Sequence, residues 1–401
     1  MTFPYVVRRG DTLHRVARRY GMNVTALYGA NPHLKEHSYL YPGQVVHIPV
    51  RTTSRYVIQA GDTLWDLAQR FNISLAELQS ANPDADPRRL RIGQTIVLPV
   101  SKGLTIVETD VEYGYAELMD HLDRLLEAYP FLEMTVIGQS VLGKDIPAVR
   151  IGTGPREVHY NGAFHANEWV TSLLLMKFIE EYAAAYAGRK PLRNRDMTAL
   201  YEQTSLWVVP MVNPDGVELV QQGVTPGHPY YKELLRWNYD SQQFSRWKAN
   251  IRGVDLNDQF PAHWEAERDR REVPGPGPRD YAGPAPLSEP EAQAMEAFTR
   301  GHSFRLVMAF HTQGREIYWN YRGQEPPEAE EAARRLAKAS SGYRAVKLAG
   351  SDAGYKDWFI QEFGRLGFTI EAGIGINPLP IEQFPQMYDE AIGIMLEGLK
   401  L

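Results

Sequence analysis

Apolar residues recur with helical spacing at two places in the first hundred residues. Both sets occupy positions i, i+3, i+4 and i+7: Leu13, Val16, Ala17 and Tyr20, then Leu64, Leu67, Ala68 and Phe71. This spacing places four side chains on one face of a helix. An alternating strand precedes each set, and a second helix and a closing strand follow it. The pattern therefore predicts strand, helix, helix, strand twice, over residues 4–50 and 55–100.

The two copies form an internal duplication that begins at Tyr5 and again at Tyr56. Each copy repeats a Gly-Asp-Thr-Leu segment before the first helix and an Asn-Pro pair after the second. Thr12 and Thr63 are placed to cap the first helices, because a threonine side chain accepts hydrogen bonds from free amides of the first turn. The Asn-Pro pairs are placed to end the second helices.

The repeated segments resemble the LysM module, whose members bind glycans that contain N-acetylglucosamine, such as peptidoglycan. The resemblance implies a shallow groove between the Gly-Asp-Thr-Leu loop and the Asn-Pro loop of each copy, where backbone amides and an occasional aromatic side chain contact sugar. The glycan-binding residues that it implies are Gly10, Asp11, Thr12, Asn31, Gly61, Asp62, Thr63, Trp65 and Asn82.

The rest of the chain has a different pattern, in which short apolar strands alternate with longer helical segments. Residues 101–110 are expected to be a linker, and residues 111–401 one domain. The alternation predicts an α/β fold with a mostly parallel sheet that helices cover on both faces. A Pro- and Gly-rich stretch near residue 275 predicts a long surface loop, followed by a helix that starts near Ser288 with a capping box between Ser288 and Glu291.

Composition removes several classes of function. The 43 basic and 49 acidic residues give a net charge of -6, which makes nucleic acid an unlikely partner, and no apolar run is long enough to span a bilayer. Zero cysteines exclude disulfides, thiolate nucleophiles and cysteine-based zinc sites. The first residues lack the apolar segment of a secretion signal. We therefore expect either a cytoplasmic or spore-associated protein or a mature form that associates with the cell wall.

Polar residues follow the predicted strands at the edge of the sheet where ligands bind in α/β folds. His165 follows "EVHYN", Asn213 follows "LWVVPMV", His311 follows "RLVMAF", and Glu371 closes "GFTIE". Glu168 lies three positions after His165, so one turn of chain brings both side chains to one metal. Two imidazoles and one carboxylate form the ligand set of catalytic zinc sites that keep a position open for water.

Further motifs occur in the order found in zinc carboxypeptidases of the carboxypeptidase A (M14) family: "HANE", "NPDG", "RGVDLN", "FHTQG" and "DWFIQEFGRLGFTIEAG". This resemblance covers residues ~110 to 401 and implies a carboxypeptidase-like mixed sheet. It implies one zinc ion held by His165, Glu168 and His311, with Glu371 as the general base. Asn257 falls at the position that binds the substrate backbone. Lys248 falls at the place of the arginine that polarises the scissile carbonyl, with Arg246 and Arg252 as alternative cations.

Two departures from the family pattern concern the substrate. Where carboxypeptidases carry an arginine that binds the C-terminal carboxylate, this chain has Asp258, which would repel a carboxylate and attract an ammonium group. The substrate-covering tyrosine also lacks a clear counterpart, because counting back from Trp358 reaches Ala349, and Tyr355 and Tyr343 are the nearest tyrosines. We expect Tyr355 to bind substrate.

The combination resembles the γ-D-glutamyl-L-diamino acid endopeptidases, which cut peptidoglycan stem peptides between γ-D-Glu and meso-diaminopimelate or lysine. The resemblance implies that the LysM pair tethers the enzyme to glycan. Two alternatives remain open at this point. One is a LysM-tethered metallocarboxypeptidase that acts on ordinary peptides, and the other is a wall- or spore-associated glycan-binding protein without activity.

Overall fold

The computed structural model describes residues 2–7, 13, 16, 27, 28, 31, 34, 40, 41, 44–49, 53–59, 61–70, 75–82, 85–87, 90–99 and 106–401. The chain divides into two compact units, Met1–Glu112 and Tyr113–Leu401. Among the described residues, no helix has both the length and the apolar content needed to cross a membrane.

The first unit contains two small sheets, one for each repeat. In the first repeat, β1 (Thr2–Val6) pairs antiparallel with β2 (Val45–Pro49). In the second, β3 (Thr53–Val57) pairs antiparallel with β4 (Thr95–Pro99), and helices α1 (Leu64–Arg70) and α2 (Leu75–Ala81) lie between them in the chain. The order of strand, helix, helix, strand is therefore confirmed in the second repeat.

Each repeat has its own apolar core. In the second repeat, Leu64, Leu67 and Ala68 of the predicted helical face are buried against Tyr56 and Ile96 from the sheet. Leu13 and Val16 of the first repeat are buried with Val46 in the same way. The apolar spacing thus marks buried positions in both copies, while Ala17, Tyr20 and Phe71 of the predicted faces lie outside the described residues.

The second unit is built on an eight-stranded mixed sheet. Its strands are β5 (Glu133–Gln139), β6 (Asp145–Ile151), β7 (Arg156–Gly162), β8 (Thr204–Val209), β9 (Leu306–His311), β10 (Glu316–Tyr318), β11 (Arg344–Val346) and β12 (Leu366–Glu371). They lie side by side in the order β11-β10-β12-β9-β7-β8-β6-β5. The four central strands are parallel, and antiparallel pairs occur towards both edges. The α/β fold class is confirmed, and the antiparallel edges make the sheet mixed.

Helices cover both faces of this sheet. They are α3 (Tyr115–Ala128), α4 (Val170–Ala187), α5 (Met197–Gln203), α6 (Pro214–Gln222), α7 (Tyr231–Trp237), α8 (Trp264–Arg271), α9 (Pro290–Arg300), α10 (Ala329–Ala339), α11 (Tyr355–Phe363) and α12 (Phe384–Gly398). Alternate side chains of β9 show the two sides. Val307 and Ala309 belong to a core with residues of α9 and α11, whereas Met308 faces Gly398 of α12. This alternation follows from the twofold periodicity of a strand.

The predicted capping box between Ser288 and Glu291 is wrong. Helix α9 begins at Pro290 with Glu289 as its N-cap residue, and no side chain caps it. The Glu291 carboxylate instead accepts hydrogen bonds from the Val141 amide at 3.2 Å and from Asn250 Nδ2 at 3.4 Å. The Glu291 carboxylate, which a capping box would need as its acceptor, therefore bonds to distant segments of the chain.

Candidate metal centre and active site

The carboxyl ends of neighbouring strands bring the predicted metal ligands together. β7 leads into a short 3-10 turn, Ala166–Glu168, which follows His165 and contains Glu168. β9 ends in His311 and β12 ends in Glu371, and these two residues are direct partners in the parallel pair. Sheet register alone therefore places the proposed base beside one of the proposed ligands.

Three buried side chains form a ligand set. His165 Nδ1 lies 3.0 Å from Glu168 Oε1, His311 Nδ1 lies 3.0 Å from Glu168 Oε2, and the two Nδ1 atoms are 3.1 Å apart. One donor atom from each residue falls within a group whose members lie within 4.8 Å of one another. Both imidazoles turn the same nitrogen towards one carboxylate, so the donors fit a single zinc ion with two nitrogen ligands and one oxygen ligand.

Electrostatics favour an ionised Glu168 at the centre of this set. Burial opposes its charge, but the two neighbouring imidazoles outweigh burial and hold the pKa of Glu168 well below its usual range. Burial likewise lowers the pKa of His165, yet the Glu168 and Asp255 carboxylates raise it to about 9 overall. Burial lowers the pKa of His311 despite Glu168. Glu168 is therefore a carboxylate between two imidazoles, and these donor types suit a divalent cation.

Asp255 lies behind His165, and the sequence analysis did not single it out. Its Oδ1 is 3.2 Å from His165 Nε2, and its Oδ2 is 3.1 Å from Lys248 Nζ. Its side chain also accepts hydrogen bonds from the amides of Asn257 and Asp280. A carboxylate behind a metal-binding histidine fixes the orientation of its ring. The sequence does carry a signal for this residue, because Asp255 lies in the "RGVDLN" motif two residues before Asn257.

Lys248 lies within the same charge network. Its pKa is raised because Asp255 and other carboxylates outweigh its burial, so it remains an ammonium ion. Its charge lowers the pKa of both His165 and Glu371. The structure thus brings the predicted cation to the proposed ligands and base. Arg252, one of the two alternative cations, has a side chain that is 44% exposed and lies 3.7 Å from Glu289.

Glu371 is half-buried at the end of β12. Burial and the negative charge of Glu168 raise its pKa to about 8, although His165 and Lys248 act in the opposite direction. A cation bound by Glu168 would add positive charge beside Glu371 and lower the pKa of Glu371. A carboxyl group poised near neutrality suits proton transfer to and from a reacting group.

Asp258 is buried and pairs with a residue that the sequence analysis did not find. Arg271 of α8 places Nε 3.2 Å from Asp258 Oδ2 and Nη2 3.3 Å from Oδ1. Burial and the Asp255 charge nevertheless raise the pKa of Asp258 to about 7, because Arg271 offsets them only in part. Thirteen positions of chain separate the two residues, so no local pattern predicts this pair.

Arg271 is shared among several carboxylates. It also contacts Glu267 Oε1 at 2.8 Å and Asp280 Oδ1 at 3.2 Å. Asp255, Asp258 and Asp280 form a second group whose oxygens approach one another as metal ligands would. Lys248 and Arg271 lie among these three carboxylates, and we assign no metal to the group.

The prediction that Tyr355 covers the substrate is wrong. Tyr355 is fully buried in the core between the sheet and its helices, where it packs against Phe164 and Phe260. Its hydroxyl group lies 2.8 Å from Thr299 Oγ1. Its amide donates to Asn257 Oδ1 at 3.3 Å, so the residue supports the turn that carries Asn257.

In the repeats, the two asparagines predicted to bind glycan have structural roles. Asn31 Nδ2 donates to the carbonyls of Leu27 and His47, and its Oδ1 accepts from the His47 amide at 2.6 Å. Asn82 makes the same three contacts with Leu78 and Val97. Both amides thus make contacts within their own repeat, which gives each asparagine a structural role.

Of the other predicted glycan residues of the second repeat, Asp62 and Thr63 make contacts within the repeat, whereas Gly61 and Trp65 face open space. Thr63 caps α1, since its Oγ1 accepts from the Asp66 amide at 3.0 Å. Asp62 accepts hydrogen bonds from the Gln59 amide and the Tyr56 hydroxyl. Trp65 is 59% exposed, and an added Cβ at Gly61 would meet open space. Gly10, Asp11 and Thr12 lie outside the described residues.

Comparison with known proteins agrees with this geometry. The zinc carboxypeptidase (peptidase M14) family model matches residues 118–392, and the LysM domain model matches residues 5–49 and 56–99. The chain belongs to the zinc carboxypeptidase family. It is therefore a metallopeptidase that carries two LysM domains, and the prediction of an enzyme is confirmed.

Several relatives share this organisation or fold. Gamma-D-glutamyl-L-diamino acid endopeptidase 1 of Lysinibacillus sphaericus is 46% identical over 86% of this chain and 99% of its own length. The crystal structure of bovine thrombin-activatable fibrinolysis inhibitor matches with a TM-score of 0.58 at 20% identity, over 72% of this chain and 96% of that one. Carboxypeptidase A from Helicoverpa armigera matches with a TM-score of 0.53 at 17% identity, over 84% and 80% of the two chains. The two structures show the shared fold.

Proposed function

We propose that this chain is a zinc-dependent peptidoglycan hydrolase that cuts the stem peptide between γ-D-Glu and meso-diaminopimelate or lysine. The observation that carries the proposal is Asp258, a buried carboxylate beside the metal-site network where a carboxypeptidase needs a cation. The 46% identity to an endopeptidase of this specificity supports the same substrate. The LysM domains support a glycan-bearing target in the cell wall or spore.

The catalytic roles follow from the chemistry of the site. Zinc held by His165, Glu168 and His311 would supply Lewis-acid chemistry, polarising a peptide carbonyl and lowering the pKa of a water molecule. Glu371 accepts the proton of the attacking water and returns it to the leaving amine. Lys248 offers a cation to the negative charge that develops on the carbonyl oxygen, and it does so as a single charge without the bidentate geometry of arginine.

Recognition of the diamino acid would depend on incomplete neutralisation at Asp258. Its raised pKa means that Arg271 does not fully offset the cost of burial and of the Asp255 charge. An ammonium group on the substrate side chain would supply positive charge at this point. A substrate carboxylate would add a further negative charge among Asp255, Asp258 and Asp280, which disfavours an ordinary C-terminal residue.

A comparison of two substrates tests this role. L-Ala-γ-D-Glu-Lys and its norleucine counterpart differ by the side-chain ammonium group. A hydrogen bond to a charged group contributes about 1.5–3 kcal/mol, so we expect kcat/KM to favour lysine by about tenfold to a hundredfold. Asp258→Asn should remove most of that preference. An unchanged preference in the variant would show that Asp258 does not contact the side chain.

The LysM domains would raise the local concentration of stem peptide by holding the enzyme on glycan. Trp65 is the exposed aromatic residue of the second repeat that we propose for sugar contact, with the Gly61 backbone beside it in the chain. Removing the side chain of Trp65 should weaken binding to insoluble peptidoglycan without altering hydrolysis of short soluble peptides.

An alternative is a LysM-tethered metallocarboxypeptidase, which family membership by itself allows. Mass spectrometry of L-Ala-γ-D-Glu-diaminopimelate peptides with and without a terminal D-Ala separates the two functions. Release of L-Ala-D-Glu from both peptides, absent with Glu371→Gln, is the result we expect. Loss of D-Ala alone would establish the carboxypeptidase, and loss of neither would remove both activities on this substrate.

A further inference from the structure

The loop that follows Glu371 returns to the metal centre through Asn377. Asn377 Nδ2 donates a hydrogen bond to Glu168 Oε1 at 3.2 Å and another to the Thr312 carbonyl at 2.9 Å. Its Oδ1 accepts a hydrogen bond from Thr312 Oγ1 at 2.8 Å. The sequence analysis did not single out Asn377, and it has no place among the ligands or the base.

Thr312 fixes which way the Asn377 amide points. A backbone carbonyl can only accept a hydrogen bond, so the amide atom that faces the Thr312 carbonyl must be nitrogen. The Thr312 hydroxyl then donates to the amide oxygen on the other side. With both contacts to Thr312 satisfied, Asn377 presents an N–H to Glu168 and no lone pair.

The contact holds one specific oxygen of the ligand. Glu168 Oε1 is also the oxygen 3.0 Å from His165 Nδ1, while Oε2 lies 3.0 Å from His311 Nδ1. A donor on Oε1 opposes rotation of the carboxylate about its terminal bond, which is otherwise a soft torsion. It leaves each oxygen facing one imidazole, in the arrangement needed for both histidines and the carboxylate to share one ion.

The same amide joins three separate parts of the site. Glu168 comes from the turn after β7, Thr312 directly follows the ligand His311 at the end of β9, and Asn377 lies six residues beyond Glu371 on the loop after β12. Two further contacts hold that loop to the segment after His311: the Gly314 amide donates to the Gly373 carbonyl at 2.9 Å, and the Gly375 amide donates to Gln313 Oε1 at 3.4 Å.

We propose that Asn377 is a positioning residue for zinc: it fixes the Glu168 carboxylate and couples it to the strand ends that carry His311 and Glu371. The inference rests on the proposed zinc site and is independent of the proposed substrate. Removing such partners of metal ligands typically weakens metal binding by about tenfold to a hundredfold.

The test is the zinc dissociation constant of the full-length chain, measured by competition with a chromogenic chelator. Asn377→Ala should weaken zinc binding by about tenfold to a hundredfold. Asn377→Asp should weaken it more, because an acceptor would then face both the Glu168 carboxylate and the Thr312 carbonyl. Thr312→Val removes the hydroxyl that holds the amide oxygen but keeps the carbonyl that holds the amide nitrogen, so it should give a smaller loss in the same direction.

Asn320 provides a matched control. Its amide makes the same kind of paired contact, donating to the Leu348 carbonyl at 2.8 Å and accepting from the Leu348 amide at 2.7 Å, without touching a proposed ligand. Asn320→Ala should reduce stability and leave the zinc constant within twofold of wild type.

Each outcome bears on the proposal. Unchanged zinc affinity in folded Asn377→Ala, or equal losses in the Asn377 and Asn320 variants, would overturn it. If Asn377→Ala fails to fold, Thr312→Val and Asn377→Asp decide by the same constant. A wild-type chain that does not bind zinc would refute the proposed metal site, whereas tight binding without cleavage of stem peptides would refute the proposed substrate alone.

Discussion

Asp258→Asn should change the pH dependence of stability in a way that reports how far Arg271 neutralises this carboxylate. Folding raises the pKa of Asp258 from its ordinary 3.8 to about 7, with burial as the largest cause and the Asp255 charge next. An acid of this kind stabilises the fold fully only below its ordinary pKa, and that stability is lost as pH rises through the raised value. Asparagine has no such dependence.

The gap between the two pKa values corresponds to about 4 kcal/mol in the free energy of unfolding, and about 3 kcal/mol of this is lost between pH 5 and pH 8. Relative to wild type, Asp258→Asn should therefore gain up to about 3 kcal/mol in the free energy of unfolding over that interval. Arg271 keeps its contacts with Glu267 and Asp280 in the variant, which limits the loss from the missing charge.

The assay is urea unfolding of the second unit at several pH values from 5 to 8, with zinc present throughout so that the metal ligands contribute equally. Asp269→Asn is the control, because Asp269 lies on α8 together with Arg271 and its side chain is 67% exposed. Its difference from wild type should stay flat with pH. A flat difference for Asp258→Asn as well would show that Arg271 neutralises Asp258 completely, and the argument for recognition of an ammonium group would lose its electrostatic basis.

Three further outcomes follow from the described contacts. Lys248→Met should lower kcat by about a hundredfold to a thousandfold if Lys248 stabilises the oxyanion, and a kcat within threefold of wild type at saturating zinc would contradict that role. Tyr355→Phe should leave kcat and KM unchanged while costing about 1–2 kcal/mol of stability through the lost hydroxyl contact with Thr299, so a selective loss of activity would restore its substrate role. Thr63→Ala should destabilise the second LysM domain by about 1 kcal/mol, as thermal unfolding would show, with no effect on hydrolysis of soluble peptides.

The convergence of the proposed ligands and base was predictable because strand ends in a parallel sheet meet at one edge. His311 and Glu371 close apolar strands in the sequence, and the sheet makes them direct partners. The side chains that reach Asp258 and Glu168 from other elements were not predictable in the same way. Arg271 reaches Asp258 from another helix, and Asn377 reaches Glu168 across 209 positions of chain. Such contacts depend on how loops pack, which no local pattern records.

The spacing of Tyr355 and Trp358 in the sequence indicates that Tyr355 is buried. Tyr355 stands three positions before Trp358 at the start of a helix, so both side chains belong to one face, and that face is buried. Counting residues back from a motif identifies a position along the chain but not the side of the helix that it occupies. The asparagines of the repeats show the same limit, since their residue type suits sugar whereas the contacts they make lie within the repeat.

The side-chain amides of Asn31 and Asn82 also occupy backbone groups of a strand in each two-stranded sheet. A two-stranded sheet has two open edges, and exposed backbone groups on such an edge invite pairing with another chain. Asn31 occupies both the amide and the carbonyl of His47, and Asn82 does the same at Val97. His47 stands opposite Pro4 in the register of the first repeat. Because the His47 amide and carbonyl both bond to Asn31, His47 needs no hydrogen bond from Pro4, which has no N–H to donate. A single side chain thus satisfies both backbone groups of the residue opposite Pro4 and makes a proline tolerable in this strand.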